Sequence, residues 1–142
     1  MDPSPLATHP PQLYRLRAPN TATSPKICRD MVALLLEATG HGELADTARL
    51  LVSEMVTNVG LHTASLDVRL EAVVRHDRVR VAVYDDAPDA EPHPKSPGPQ
   101  AEDGRGLLLL AGLAQDWGVA RADSCRMGGK EVWFELHAPS PN

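Results

Sequence analysis

The chain has 142 residues, a formal net charge of −5 and a pI near 5.6, a size that one hydrophobic core can serve. Hydrophobic residues at 42% and charged residues at 23% exclude wholesale disorder and coiled coil, and the acidic balance argues against nucleic-acid binding through the overall field. No apolar run approaches the roughly 20 residues of a membrane span, the first residues show no basic-then-apolar signal pattern, and two cysteines are too few for a disulfide framework or a thiolate metal site. The expectation is a cytoplasmic single domain with no direct nucleic-acid contact and no membrane contact. Residues 1–11 read as a flexible arm, 12–138 as the domain and 139–142 as a tail.

In chain order, Gln12 to Ala18 reads as a short edge strand. Ser24-Pro25 predicts a helix start, with the serine hydroxyl as cap and proline in the first turn. Ile27, Met31, Leu34, Leu35 and Ala38 then follow helical spacing until Gly40 and Gly42 end the helix. A second helix is predicted from about Glu43 to His62, with Leu44, Ala48, Leu51, Val52, Met55 and Val59 on one face. Leu66, Val68, Leu70, Ala72 and Val74 alternate at period two, as do Val79, Val81 and Val83, and the link Arg75 to Arg78 fits a hairpin.

Five of the thirteen prolines fall between Pro88 and Pro99, inside an aperiodic stretch from Asp86 to Asp103. Proline is expelled from helix interiors and central strands. The 39 residues that follow are too few for a core of their own, so this stretch reads as a loop within one domain rather than a linker. Gly106 to Ala114 is a compact apolar helix, and Trp117 to Ala122 with Glu131 to Leu136 form a closing strand pair. The order β-α-α-β-β-loop-α-β-β predicts an α/β (α+β) two-layer sandwich: a mixed, mostly antiparallel sheet with helices on one face.

Three constellations carry polar chemistry. Glu54, Asn58 and His62 stand at i, i+4 and i+8, one stripe beside the apolar face of the second helix. A carboxylate, an amide and an imidazole so aligned suit a divalent cation with phosphate; a plain polar helix edge is the other reading. Asp85 continues the Val79-Val81-Val83 alternation, so its carboxylate points inward, where ionisation is costly without a hydrogen bond. It either accepts from an exocyclic amine, such as that of adenine, or turns back to cap the next loop. Gly104-Arg105-Gly106 precedes the run from Leu107, where glycines admit a phosphate to the first free amides of a helix and arginine adds a bidentate charge. Gly128-Gly129-Lys130 reads as a second phosphate-compatible segment or as a hairpin turn. There is no phosphate-loop or dinucleotide-fold fingerprint, no histidine pattern with metal-ligand spacing and no nucleophile elbow around Ser53.

Together these segments resemble the anti-sigma-factor serine kinase group of histidine-kinase-like (GHKL-type) ATP-binding proteins. Leu51-Val52-Ser53-Glu54-Met55-Val56-Thr57-Asn58, with His62 following, is similar to the group's N box. Val83-Tyr84-Asp85 is similar to the strand ending in the adenine-binding aspartate. Gly104-Arg105-Gly106-Leu107 with Leu113-Ala114 and Trp117-Gly118, and Gly129-Lys130-Glu131-Val132-Trp133, are similar to its later motifs. The resemblance implies a Bergerat-type sandwich with ATP held under a lid, here residues 86–103. It implies that Asn58 ligates Mg, that Glu54 is the catalytic group acting on the acceptor, and that Asp85 binds adenine. His62, Gly104, Arg105, Gly106, Leu107 and Lys130 complete the implied nucleotide site. The partners implied are a sigma factor or an antagonist protein that is phosphorylated on serine, and such proteins often pair as homodimers. The alternative is a non-catalytic protein-binding module with the same fold and weak or no nucleotide binding.

Overall fold

The computed structural model describes residues 10–62, 65–85, 109–120 and 129–139, the side chains of 60–62 excepted. The elements are β1 (Gln12–Pro19), α1 (Ser24–Ala38), a 3-10 turn (Gly42–Leu44), α2 (Ala45–His62), β2 (Asp67–Val74), β3 (Arg78–Asp85), β4 (Asp116–Ala120) and β5 (Glu131–His137). Residues 109–113 are also helical. The five strands form one open sheet in the order β1-β2-β3-β5-β4, and all four pairings are antiparallel. The helices lie on one face, as the element order predicts.

The core forms between the helices and the inward row of each strand. Val68, Leu70, Ala72 and Val74 of β2, Val79, Val81 and Val83 of β3, and Phe134 and Leu136 of β5 meet Val32 and Leu36 of α1 and Ala48, Leu51, Val52, Met55, Val56 and Val59 of α2. Phe134, Leu36 and Ala48 have no exposed surface. The predicted period-two and helical patterns of β2, β3, β5 and α2 are therefore the ones that bury apolar area, each large side chain contributing about 1.5–3 kcal/mol. The β2–β3 connection is the expected hairpin, closed by the Arg75 amide donating to the Arg78 carbonyl at 2.9 Å.

Four local expectations need correction. The residue before α1 is Thr23, which makes no side-chain cap bond; the Ser24 hydroxyl instead donates to the Pro19 carbonyl, tying α1 to the end of β1. Leu66 lies outside β2 and is 84% exposed; the Asn20 backbone amide donates to its carbonyl at 2.9 Å, and the Asn20 side-chain amide donates to the Ser65 carbonyl at 2.9 Å. α2 begins at Ala45, after a separate 3-10 turn, and β4 begins one residue early, at Asp116.

In α1 the apolar spacing that predicts the helix does not mark its buried arc. Its buried residues are Ser24, Cys28, Val32, Ala33 and Leu36, whereas Ile27, Met31 and Leu34, which follow that spacing, are 50%, 47% and 64% exposed. The helix is apolar on both arcs, so spacing alone matches either, and the smaller side chains are the ones that fit against α2 and the sheet.

The end of α1 follows the predicted glycine stop. Gly40 has φ +90°, the His41 amide donates to the Leu36 carbonyl at 2.7 Å and the Gly40 amide to that of Glu37 at 3.4 Å, the paired reverse bonds of a left-handed helix terminus. The buried His41 ring then places Nε2 2.8 Å from the Arg75 carbonyl oxygen, fastening the α1 end to the β2–β3 hairpin.

The face of the sheet away from the helices is closed by its own side chains. Ala82 and Tyr84 are buried there beside Trp133. The Arg80 guanidinium stacks 3.8 Å above the indole, and Gly118 on β4 lies beneath it, so close that a Cβ there would sit 2.7 Å from Trp133 Nε1. Glu71 accepts from the Tyr84 hydroxyl at 3.2 Å and from Arg15 Nε at 3.0 Å.

Candidate functional site

Asp85 is the last residue of β3 and pairs with Val68 of β2, two positions beyond the inward pair Leu70–Val83. That register puts it on the inward valine row, and it is 4% exposed, as the alternation predicts. Burial of a carboxylate requires hydrogen-bond donors. One is supplied by the chain entering β5: the Lys130 amide donates to Asp85 Oδ1 at 3.4 Å, while the Asp85 amide donates to the Lys130 carbonyl at 3.0 Å. The backbone entering β5 thus holds both the amide and the carboxylate of Asp85.

Gly129 makes this bracket possible. Its φ is +74°, a conformation open to glycine at little cost. A Cβ at this position would overlap the Asp85 carbonyl oxygen and stand 2.6 Å from Oδ1. Sequence reasoning took Gly129 as part of a motif and missed it as a positioning residue; the signal was the Gly128-Gly129 pair directly before a strong strand pattern.

The polar stripe of α2 lies where predicted relative to the apolar face. Glu54 and Asn58 are half-buried and interleave with the buried Met55, Val56 and Val59. They stand one helical turn apart, and α2 packs on the sheet through the same core that lines Asp85's row. His62 closes α2, with its side chain outside the described residues. Gly104, Arg105, Gly106 and Leu107, and the 86–103 loop, also lie outside the described residues. The structure therefore brings Lys130 to Asp85 and keeps Glu54 with Asn58.

Among the described residues no group of three or more His, Cys, Asp or Glu side chains could hold a metal ion. A single amide such as Asn58 fits a magnesium ion that arrives with a nucleotide, because Mg²⁺ in such sites takes most of its ligands from phosphate oxygens and water. Asp85 fits an adenine base by burial and by acceptor chemistry. No described helix is long and apolar enough to cross a membrane. Burial pushes the Cys28 thiol above its ordinary range, consistent with an inert core cysteine.

No curated protein matches the chain. The family model of the histidine kinase-like ATPase domain matches residues 18–136, a span that runs from the end of β1 to the end of β5 and contains Glu54, Asn58, Asp85 and Lys130. With a buried carboxylate at the end of an inward strand and a helix stripe of Glu and Asn in one antiparallel α/β sandwich, the chain belongs to the histidine kinase-like ATPase domain family.

Proposed function

We propose that this chain is an ATP-binding regulatory protein of the cytoplasm that acts in the manner of the anti-sigma-factor serine kinases it resembles. In this reading it holds a sigma factor or an antagonist protein and transfers phosphate from Mg-ATP to a serine of the antagonist. The observation that carries the nucleotide part is Asp85: a carboxylate 4% exposed, on the inward row of an ATPase-family sheet, whose Oδ1 accepts from the Lys130 amide. Such a group accepts the adenine amine and rejects a base that presents a carbonyl there, since the site's acceptor would face another acceptor.

The transfer would run as follows. The serine hydroxyl oxygen attacks the γ-phosphorus and forms the new P–O bond. The bond from that phosphorus to the β–γ bridging oxygen breaks, and ADP leaves with the electron pair. Glu54 takes the hydroxyl proton, and Asn58 lends its amide oxygen to the magnesium that neutralises phosphate charge.

The second reading, a protein-binding module without nucleotide, draws support from the apolar residues that α1 turns to solvent. A thermal shift with Mg-ATP, Mg-ADP and no nucleotide separates the two. Ligand at about 100 times its dissociation constant adds roughly 2.7 kcal/mol of stability, which gives a clear rise in Tm. No rise at millimolar Mg-ATP overturns the nucleotide reading and leaves the binding module.

A further inference from the structure

β1 is an edge of the sheet, and among the described residues no strand pairs with its free side. It has eight residues and runs in unbroken register with β2, from Gln12 opposite Val74 to Pro19 opposite Asp67. From Gln12 to Ala18 every residue carries an N–H, so the alternate amides and carbonyls that turn away from β2 form an open ladder. The other edge, β4, has only five residues. A long edge is usually protected by a bulge, an internal proline or a charge that projects from it. β1 has no bulge, and its two charges are drawn back over the sheet. Arg15 Nε donates to Glu71 at 3.0 Å and Arg17 Nε to Asp67 at 2.9 Å.

The two faces beside this ladder differ in chemistry. On the outer face, the Arg15 and Arg17 side chains are 66% and 62% exposed. Each is engaged through Nε, so the Nη groups can take a further carboxylate. Arg69, opposite Arg17, adds a third guanidinium, and its Nε has no hydrogen-bond partner among the described residues. Asp67 and Glu71 offset only two of these three charges. On the inner face, Tyr14 is 38% exposed and Leu16 half-buried. α1 packs over β1 and α2 over β3, and the Asp30–Arg49 pair at 3.1 Å puts α2 on the Asp30 flank of α1. Met31 and Leu35 lie about 100° and 140° further round the helix. They therefore occupy the flank turned away from α2, above the open edge. Met31 is exposed and Leu35 half-buried.

We propose that β1 accepts an extended segment of a partner protein as a sixth strand, and that this segment alternates acidic with apolar residues. Its backbone completes the open ladder. Its acidic side chains lie on the outer face beside Arg15 and Arg17, with Cβ atoms about 4.5–5.5 Å from theirs. Its apolar side chains lie on the inner face, beside Tyr14 and Leu16 and beneath Met31 and Leu35. Backbone pairing supplies affinity, and the alternation sets register and specificity. The contact needs no nucleotide, because β1 carries none of the candidate site residues and β2 separates it from Asp85.

Residue-resolved amide hydrogen exchange of the full chain, without nucleotide, tests this. The probe is an N-acetylated, C-amidated heptapeptide of alternating glutamate and valine. In the protein alone, the β1 amides that face β2 should exchange slowly and those on the open edge quickly. Peptide at about 1 mM should slow the open-edge amides by about fivefold or more, as a site filled to four-fifths requires, and leave β4 unchanged. The same peptide with lysine for glutamate should bind about 10-fold more weakly. Arg17→Glu should weaken the acidic peptide by about 3- to 10-fold, since an attractive pair becomes a repulsive one, and Met31→Glu should weaken it through the inner face. A peptide N-methylated at every amide should give no protection. The peptide variants need no altered protein, so they decide the matter even where a substitution disturbs the fold. Open-edge amides left unprotected, equal protection by the lysine or the N-methylated peptide, or protection of β4 as strong as that of β1 overturns the proposal. So does protection of β1 that rises with protein concentration alone, since it shows that a second copy occupies this edge.

Discussion

Gly129 and Asp85 are in closer contact than any side chain at position 129 would allow. A Cβ on Gly129 would overlap the Asp85 carbonyl oxygen and stand 2.6 Å from Oδ1, and the glycine's φ of +74° lies where other L residues are strained. The consequence is that Gly129 and Lys130, just before β5, form the floor on which the β3 carboxylate rests.

Gly129→Ala should therefore cost more than an ordinary surface change. The left-handed backbone alone is worth about 1–2 kcal/mol, and relief of the overlap requires the ends of β3 and β5 to separate. A lowered Tm is expected, with ATP affinity reduced more than the fall in stability explains. Thermal melts beside calorimetric titration of the folded fraction would show this; unaltered affinity in a destabilised but folded variant would mean that the bracket does not set the carboxylate's position for the base.

Asp85→Asn keeps an oxygen acceptor for the Lys130 amide, so the fold should persist. The charge-assisted bond to an adenine amine is lost, a loss of roughly 1.5–3 kcal/mol, so ATP affinity should fall about 10- to 100-fold. Titration with an inosine nucleotide gives the control: its base presents a carbonyl instead of the amine, which the Asp85 carboxylate repels and an Asn amide can donate to, so it should bind Asp85→Asn more tightly than wild type. Equal ATP affinity for the two proteins would remove Asp85 from the base pocket.

Glu54 and Asn58 share a stripe but should separate by assay. Asn58→Ala removes the amide oxygen proposed for the metal, and should abolish the magnesium dependence of nucleotide binding. Glu54→Ala should retain Mg-ATP binding and slow phosphate transfer to an antagonist protein by about 10²–10⁴-fold, the usual range for a lost general base. Both residues are half-buried beside the core, so circular dichroism must accompany the assays. If Mg-ATP binds but no antagonist serine is ever labelled, by wild type or by Glu54→Ala, the kinase step is wrong while nucleotide binding stands.

A further test bears on the fold alone. The Trp133 indole lies between Arg80, 3.8 Å from the ring centre, and the backbone of Gly118. Gly118→Val should push the ring off β4 and cost about 1–3 kcal/mol as an overpacked site does. Tryptophan fluorescence should shift to the red as the ring gains solvent. An unshifted spectrum with an unchanged Tm would show that the ring does not rest on Gly118.

Much of this protein is legible without coordinates. The strands β2, β3 and β5 alternate because one face of an antiparallel sheet is buried and period two leaves a single register that buries Val79, Val81, Val83, Phe134 and Leu136 together. The same alternation carries Asp85 inward, so its burial follows from Val83 two residues earlier. α2 is legible for the same reason: only one of its arcs is apolar, and Glu54 and Asn58 must fall beside it. Tertiary structure decided the matters in which the local pattern was satisfied twice or not at all. α1 is apolar on two arcs, and only packing against α2 and β1 selects Cys28, Val32, Ala33 and Leu36 for the interior, leaving Ile27, Met31 and Leu34 outside. Ser24 looks like a helix cap, yet its hydroxyl is claimed by Pro19 because the β1–α1 turn brings that carbonyl within reach. Gly129 looks like a turn residue until β3 and β5 pair, when a strand 44 residues earlier in the chain puts Asp85 where its side chain would have been; periodicity records how a residue relates to its own element, and only the pairing of elements determines which atoms then compete for the same space.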